Sequence, residues 1–353
     1  MPRDTLTRAA LPRRVLITGG AGFVGAALAH QLAAQAVELL LVDDFSSPAS
    51  RARSLPDSAR VLELDICAAG ALERALLDEA DFDVCVHLAA RVGVRTVLQD
   101  CEGARRANVL GVERLIESIG ALAAARRPRV FFASTSEVYR PARSPLSESA
   151  PLRDVSEVGR FAYAASKLQG EQRLAAASEL WSSERAPVCL RFFNVVGPGQ
   201  DASSGMVLPS FIEQVLSGQP VAIYGDGSAV RTYAHVDEVA RTLCELFTLP
   251  ELAGGALNLG GRARASVCEL ALMLERALGR PIARVHIDPR RTLGPEFEED
   301  AWREPDLTRI EQLGVHVPAL DLERIVQDTL ARHRPRVSSS ARALEDACAS
   351  RAS

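Results

Sequence analysis

Through the first half of the chain, short apolar runs closed by Gly, Asp or Pro alternate with longer stretches whose apolar residues recur every three or four positions. An unbroken apolar run of strand length predicts a strand buried on both faces, and the three-to-four repeat predicts a helix with one apolar stripe. Strands are expected at 15–18, 39–42, 61–65, 84–88, 130–133 and 188–192. Helices are expected at 23–35, about 105–126 and about 163–181. Regular alternation of this kind makes βα units, and consecutive βα units build a parallel sheet with helices on both faces. The fold class expected is α/β, a doubly wound parallel sheet.

Beyond Asn194 the rhythm breaks. Gly197, Pro198, Gly199, Pro209, Gly218, Pro220, Gly225 and Gly227 interrupt shorter elements, which predicts a smaller mixed α/β lobe. Helical stripes return at 236–247, 267–278 and 322–332. The last stretch, 335–353, is rich in Ser, Ala and Arg with weak amphipathicity and reads as a flexible tail.

Composition narrows the classes. A chain of 353 residues suits about two domains, and 47% hydrophobic with 24% charged residues is ordinary globular usage. A net charge of −4 argues against nucleic acid or an anionic membrane surface as the main partner, and 5% aromatics leave little for base stacking. The seven cysteines are scattered with no C-x-x-C pair, so neither a disulfide framework nor a metal site is expected, and a reducing, cytoplasmic setting fits. No apolar run approaches the ~18 residues of a membrane span, and the basic stretch 1–14 is not followed by an apolar signal segment.

The first strand runs into Gly19-Gly20-Ala21-Gly22-Phe23-Val24-Gly25 and then a helix. Gly19 would make the tight turn, Gly22 would let backbone approach a pyrophosphate, and Gly25 would allow close helix–strand packing. The helix N-terminus offers unpaired N–H groups and a positive dipole end. Asp43 closes the second strand, where a carboxylate accepts from a ribose 2′-hydroxyl and repels a 2′-phosphate; NAD is therefore expected rather than NADP. Arg51 and Arg53 are expected to lie well beyond that strand end, leaving Asp43 without a neighbouring arginine. Asp65, closing the third strand, is a candidate for the adenine edge or an ordinary turn residue.

The fifth strand ends in Ser134-Thr135-Ser136-Glu137-Val138-Tyr139, and ligands of open α/β sheets bind at the carboxyl ends of strands. Further on, Tyr163-Ala164-Ala165-Ser166-Lys167 sets a phenol and an ammonium on one helix face. A nearby cation favours phenolate, so the Tyr163 pKa is expected to fall, making the pair a general acid or base for a substrate hydroxyl.

These segments, in this order, resemble the extended short-chain dehydrogenase/reductases, in particular the NAD-dependent nucleotide-sugar epimerase/dehydratase family. The resemblance runs from about 14 to about 330 and is carried by TGGAGFVG, LVDDFSS, VHLAA, Asn108-Val109-Leu110-Gly111, ASTSEVY, YAASK, RFFNVVGPGQ, IYGDG with Arg231 beyond it, and Arg303-Glu304-Pro305-Asp306. Departures are Arg140, where the family usually has Gly, and Ala26-Ala27 in place of Ser-His. The resemblance implies a Rossmann sheet with a substrate-binding lobe. Residues 13–190 with about 232–260 would bind NAD, and 191–231 with 261–334 would bind substrate. Phe23, Val24, Ile66, Leu88, Ala89, Ala90 and Asn108 would complete the NAD site with Tyr163 and Lys167. A nucleotide-diphosphate sugar would meet Thr135, Arg95, Asn194, Val207, Tyr224, Arg231 and Arg303, the last two as its phosphate arginines. Tyr163, helped by Thr135, would take the proton of the sugar 4-hydroxyl while carbon 4 gives its hydride to NAD, with Lys167 holding the nicotinamide ribose. A homodimer through the 105–126 and 163–181 helices is also implied.

The triplet Thr135-Ser136-Glu137 bears on the outcome. The dehydratases carry Thr-Asp-Glu, and a Ser hydroxyl is far too weak an acid to replace that Asp. Thr-Ser-Glu is also the pattern of UDP-glucuronate decarboxylases, which keeps decarboxylation open; a structural carboxylate bonded to backbone is the plainer role for Glu137. The loop 89–95, the run 197–200 and the stretch 294–306 look more like 4-epimerases, so a 4-epimerase is the leading expectation. A silent NAD-binding sensor and a dehydrogenase releasing NADH are the readings from other classes.

Overall fold

Alternate residues of each central strand face opposite ways, and here both faces are apolar. Val15 and Ile17 enter one core and Leu16 the other; Phe131 and Phe132 divide in the same way. Strands of this kind are stable only inside a sheet covered on both sides. The computed structural model describes residues 8–93, 97, 99–142, 145–157, 159–250, 252, 254–293 and 302–333. The first six strands are β1 (Arg14–Thr18), β2 (Glu38–Asp43), β3 (Arg60–Glu63), β4 (Val84–His87), β5 (Arg129–Thr135) and β6 (Val188–Phe192). They are followed by β7 (Val195–Val196), β8 (Val221–Tyr224), β9 (Val230–His235), β10 (Gly255–Leu259), β11 (Ala263–Ser266), β12 (Arg284–Ile287) and β13 (Trp302–Arg303).

Seven strands pair in the order β10-β6-β5-β4-β1-β2-β3, all parallel. This is the Rossmann arrangement. The order reverses between β1 and β4, where the loops diverge and leave a crevice. One face is covered by the Phe23–Ala33 and Val236–Phe247 helices, which bury Leu28, Leu32, Leu243 and Phe247. The other is covered by the Ala71–Leu77, Cys101–Gly120 and Ala162–Ala176 helices through Leu72, Leu115, Ile119 and Leu174.

The smaller lobe has its own core of Phe211, Ile212, Val215, Ile223, Tyr233, Leu270, Leu274 and Ile325. Its strands form β11-β9-β13 with β7 also on β9, and a separate parallel pair β12-β8.

Four expectations need correction. The third strand stops at Glu63, and Asp65 lies beyond it in a turn where its Oδ1 accepts from Cys67 N at 2.8 Å. The long helix is Cys101–Gly120; it starts earlier because Asp100 caps Gly103 N at 2.9 Å, a local bond that periodicity does not register. The next helix ends at Ala176, and residues 178–180 form a 3₁₀ turn. A seventh strand, β10, joins the parallel sheet beside β6 although the regular rhythm had ended; flanked by glycines and only five residues long, it leaves little periodic signal.

Candidate active site

The turn after β1 has the shape expected of it. Gly19 has φ +71°, and a Cβ there would lie 2.6 Å from Ala89 N, inside the loop that follows β4. A Cβ on Gly25 would lie 2.3 Å from Gly19 O, so the helix can pack this closely only on glycine. No side chain caps the helix at Gly22, so the first-turn N–H groups of Phe23 and Val24 have no capping side chain at the end of the glycine turn. Asp43 ends β2 with Oδ2 accepting from Ala21 N at 3.0 Å and Oδ1 from Phe45 N at 2.9 Å. Burial pushes its carboxyl up, and those two donors pull against the shift.

The expectation that no arginine stands near Asp43 is overturned. After the short Pro48–Arg51 helix the chain folds back, and the Arg53 charge acts on the Asp43 carboxyl. Its guanidinium donates to Ala21 O at 2.8 Å and Gly199 O at 2.5 Å. Distance along the sequence was a poor guide to distance in space.

Leu88 N donates to Thr18 O at 2.9 Å, which sets Leu88, Ala89 and Ala90 beside the glycine turn. Ile66 is buried against Gly111, and Asp65 stands exposed before it. Asn108 is buried: its Oδ1 accepts from Arg91 N at 2.7 Å, and its Nδ2 donates to Ser166 Oγ at 3.0 Å. Ser166 Oγ in turn donates to Tyr163 O at 2.7 Å. Asn108 thus ties the loop after β4 to the helix that carries Tyr163.

At the carboxyl end of β5, Thr135 is buried and hydrogen-bonded through its side chain to the Tyr163 phenol. Lys167, one helical turn on and 3% exposed, has Nζ 6.0 Å from the Tyr163 ring centre and 5.0 Å from that of Phe132. The expected fall in the Tyr163 pKa is not found. Burial pushes the phenol up, the nearby Glu137 carboxylate adds to this, and only the Thr135 hydrogen bond opposes it. Lys167 does not counter the shift because burial holds its own pKa down to about 7. Beneath it lies His87, which the sequence reading passed over. Its Nδ1 is 2.7 Å from Thr18 Oγ1, and burial, with the Lys167 charge, holds it near 3 and therefore neutral.

From the smaller lobe, Arg303 Nη1 comes to 3.1 Å from Glu137 Oε1. Glu137, read above as either catalytic or structural, thus pairs with a buried guanidinium from another part of the chain. β13 pairs parallel with β9 in the register Arg303↔Arg231, which puts two arginines side by side on one face. Adjacent like charges are unfavourable in a sheet, and the Glu137 carboxylate on Arg303 offsets part of that repulsion. Arg231 is half-buried, with Nη1 on its own neighbour Val230 O.

Asn194 has φ +25°, and its Nδ2 donates to Thr232 O at 2.9 Å, so its amide braces the junction of β6 with β9. Val207 opens the Val207–Leu216 helix half-exposed, and Tyr224 ends β8. Arg95, residues 294–301 and the expected tail lie outside the described residues.

A buried polar network behind the site was not foreseen. Glu171 takes a fork of two bonds from Arg191, Nε to Oε1 at 3.0 Å and Nη2 to Oε2 at 2.7 Å, and also accepts from Ser134 Oγ. Arg191 donates to Tyr139 Oη, and Tyr139 Oη donates to Asn258 Oδ1 at 2.6 Å. Glu171 stands one turn beyond Lys167 and two beyond Tyr163, a spacing from which it was readable. Among the described residues no group of three His, Cys, Asp or Glu is arranged to hold a metal, and no helix is long and apolar enough to cross a membrane.

Known proteins are similar to this chain over most of its length. UDP-N-acetyl-alpha-D-glucosaminuronate decarboxylase of Bacillus cytotoxicus is 28% identical, over 91% of this chain and 97% of that protein. UDP-glucose 4-epimerase of Azospirillum brasilense is 32% identical, over 91% of this chain and 92% of its own. The solved structure of UDP-glucuronic acid 4-epimerase from Bacillus cereus, in complex with UDP-glucuronic acid and NAD, superposes with a TM-score of 0.78 at 25% identity, covering 90% and 98% of the two chains. The profile of the NAD dependent epimerase/dehydratase family matches residues 15–260. With its glycine turn, the strand-end Asp43 and the Thr135–Tyr163–Lys167 cluster all inside that span, the chain belongs to the NAD-dependent epimerase/dehydratase family, whose cofactor is NAD.

Proposed function

We propose that the chain is a nucleotide-sugar 4-epimerase. The observation that carries this reading is the Thr135–Tyr163–Lys167 cluster at the end of β5 beside the glycine turn, with a hydroxyl at Ser136 where dehydration needs an acid. NAD would be held by Gly19, Gly22 and the helix start at Phe23 and Val24, by Asp43 at its ribose, by Asp65 and Ile66 at the adenine, and by Leu88, Ala89 and Ala90 along its length. Asn108 would act on it through Arg91 and Ser166. When bound, NAD supplies a hydride acceptor, and later donor, for sugar carbon 4.

Tyr163 Oη takes the proton of the sugar 4-hydroxyl and gives it back after inversion. Thr135 favours the ionised phenol by its hydrogen bond, and Lys167 would hold the nicotinamide ribose. Arg231 and Arg303 would meet the diphosphate, with Asn194, Val207, Tyr224 and Arg95 around the rest of the substrate. The separate cores of the large sheet and the smaller lobe support the division of labour expected for 13–190 with 232–260 and for 191–231 with 261–334. A homodimer belongs to the same reading by family resemblance, a cytoplasmic setting by the scattered cysteines, and light scattering tests the dimer.

One observation favours a second reading. The Glu137–Arg303 pair lies next to Tyr163, and a uronic acid oxidised at carbon 4 is a β-keto acid poised to lose its carboxyl group. Arg303 would then engage the uronate carboxylate, and carbon 5 would take a proton as carbon dioxide leaves. Incubation with UDP-, dTDP-, GDP- and ADP-sugars, read by mass and by NMR, decides. Unchanged mass, inversion at carbon 4 and retention of a deuterium label there support the 4-epimerase. A product lighter by carbon dioxide supports the decarboxylase, and one lighter by water rejects both.

A further inference from the structure

Arg53 joins three parts of the molecule that the chain keeps far apart. Nη1 donates to Ala21 O, in the glycine turn, at 2.8 Å, and Nη2 donates to Gly199 O, in the loop after β7, at 2.5 Å. The two bonds span 32 and 146 residues of sequence. Burial pulls the guanidinium's pKa down, and the carboxylates of Asp43 and Asp201, one from each side of the cleft, oppose that shift. Asp201 is itself fixed by Ser203, whose backbone N and Oγ donate to its two oxygens at 2.8 and 2.6 Å.

We propose that Arg53 is a strap across the cofactor cleft, a positioning residue that slows NAD dissociation by tying the glycine turn of the large sheet to the 197–201 loop of the smaller lobe. Ala21 belongs to the pyrophosphate turn and Asp43 to the ribose end, so the guanidinium stands over the adenosine-diphosphate half of the cleft and away from Tyr163. Leaving that half would require breaking two charged-donor hydrogen bonds, the stronger kind of neutral-acceptor bond in proteins. An enzyme that oxidises a sugar and then reduces the same molecule loses its turnover if the cofactor departs in between; that motive rests on the proposed function, whereas the strap itself is a matter of binding. With its donors already on two carbonyls, Arg53 is not arranged to read a 2′-phosphate.

The test uses the full chain without substrate. Bound NADH is displaced by excess NAD in a stopped-flow instrument and its fluorescence decay gives the dissociation rate. Arg53→Met is expected to raise that rate by about tenfold or more, and Arg53→Gln, which keeps a polar group at the site, by a similar amount. Arg51→Met, which removes a neighbouring exposed charge paired with Glu63, is expected to leave it unchanged. Dissociation from both Arg53 variants at the native rate overturns the proposal. So does weaker NADP binding with NAD release unaltered, which would make Arg53 a phosphate reader. Because no turnover is measured, absence of 4-epimerase activity leaves this test intact.

Discussion

In the large sheet, the groups around the glycine turn come from the ends of neighbouring strands: Gly19 follows β1, Asp43 ends β2, Leu88 follows β4 and Thr135 ends β5. Each strand is held by parallel pairing and by apolar burial on two faces, so their ends are brought to one level. In the smaller lobe, Arg231 and Arg303 meet through a pairing of only two residues, and Arg303 is further held by the ion pair with Glu137 and by the 145–148 segment, where Leu146 N donates to Glu304 O at 2.8 Å. The first half of the site is an outcome of the fold's main energy term. The second adds a few polar contacts, each worth a few kcal/mol at most, to the smaller lobe's own core, which is where substrate preference can change without endangering the sheet.

Four measurements break or sharpen that contrast. The largest effect is expected on the sheet side. Tyr163→Phe keeps the ring but removes the proton-transfer group, so turnover should fall by about 10² to 10⁴ while NAD and sugar nucleotide still bind. A fall of less than about tenfold would reject its role.

On the lobe side, Arg303→Met should lower kcat/KM by roughly 10 to 100-fold, the worth of one or two charge-assisted bonds, and leave NAD affinity unaltered. It also leaves the Glu137 carboxylate beside Tyr163 without this partner, so the ascending limb of the pH profile, where Tyr163 ionises to act as base, should move to higher pH. If NAD binding weakened as much as substrate binding, the two halves would not be separable in this way.

Asp43→Ala should weaken NAD by about tenfold and narrow its advantage over NADP, read by calorimetry, with sugar-nucleotide affinity retained. Equal affinity of the native protein for both cofactors would remove the premise.

The smallest effect is on stability. Burial holds Lys167 near 7 in the folded protein, against an ordinary value of 10.5. Between those values the unfolded chain binds more protons than the folded one, so stability without cofactor rises with pH across that window. Below about 7 the penalty of the buried charge is present in full. Lys167→Met should therefore raise Tm by a few degrees near neutral pH, and the gain should shrink as pH rises toward 10.5. A lower Tm for the variant at pH 7 would contradict this.

By itself the sequence determined the parallel sheet, the glycine turn, Asp43, Thr135 and the Tyr163–Lys167 face, because each is written within one strand, turn or helix and follows from local periodicity or i, i+4 spacing. Only the tertiary structure decided the rest. β10 takes its place through pairing with β6 rather than through any pattern of its own. Arg53 reaches Asp43, Ala21 and Gly199 because the chain doubles back after the 48–51 turn, and Glu137 finds Arg303 because β13 lies on β9. The rise of the Tyr163 pKa belongs to the same class: a helix wheel shows which cation is near, but burial is a property of everything packed around the two groups, and here it raises the phenol and lowers the ammonium.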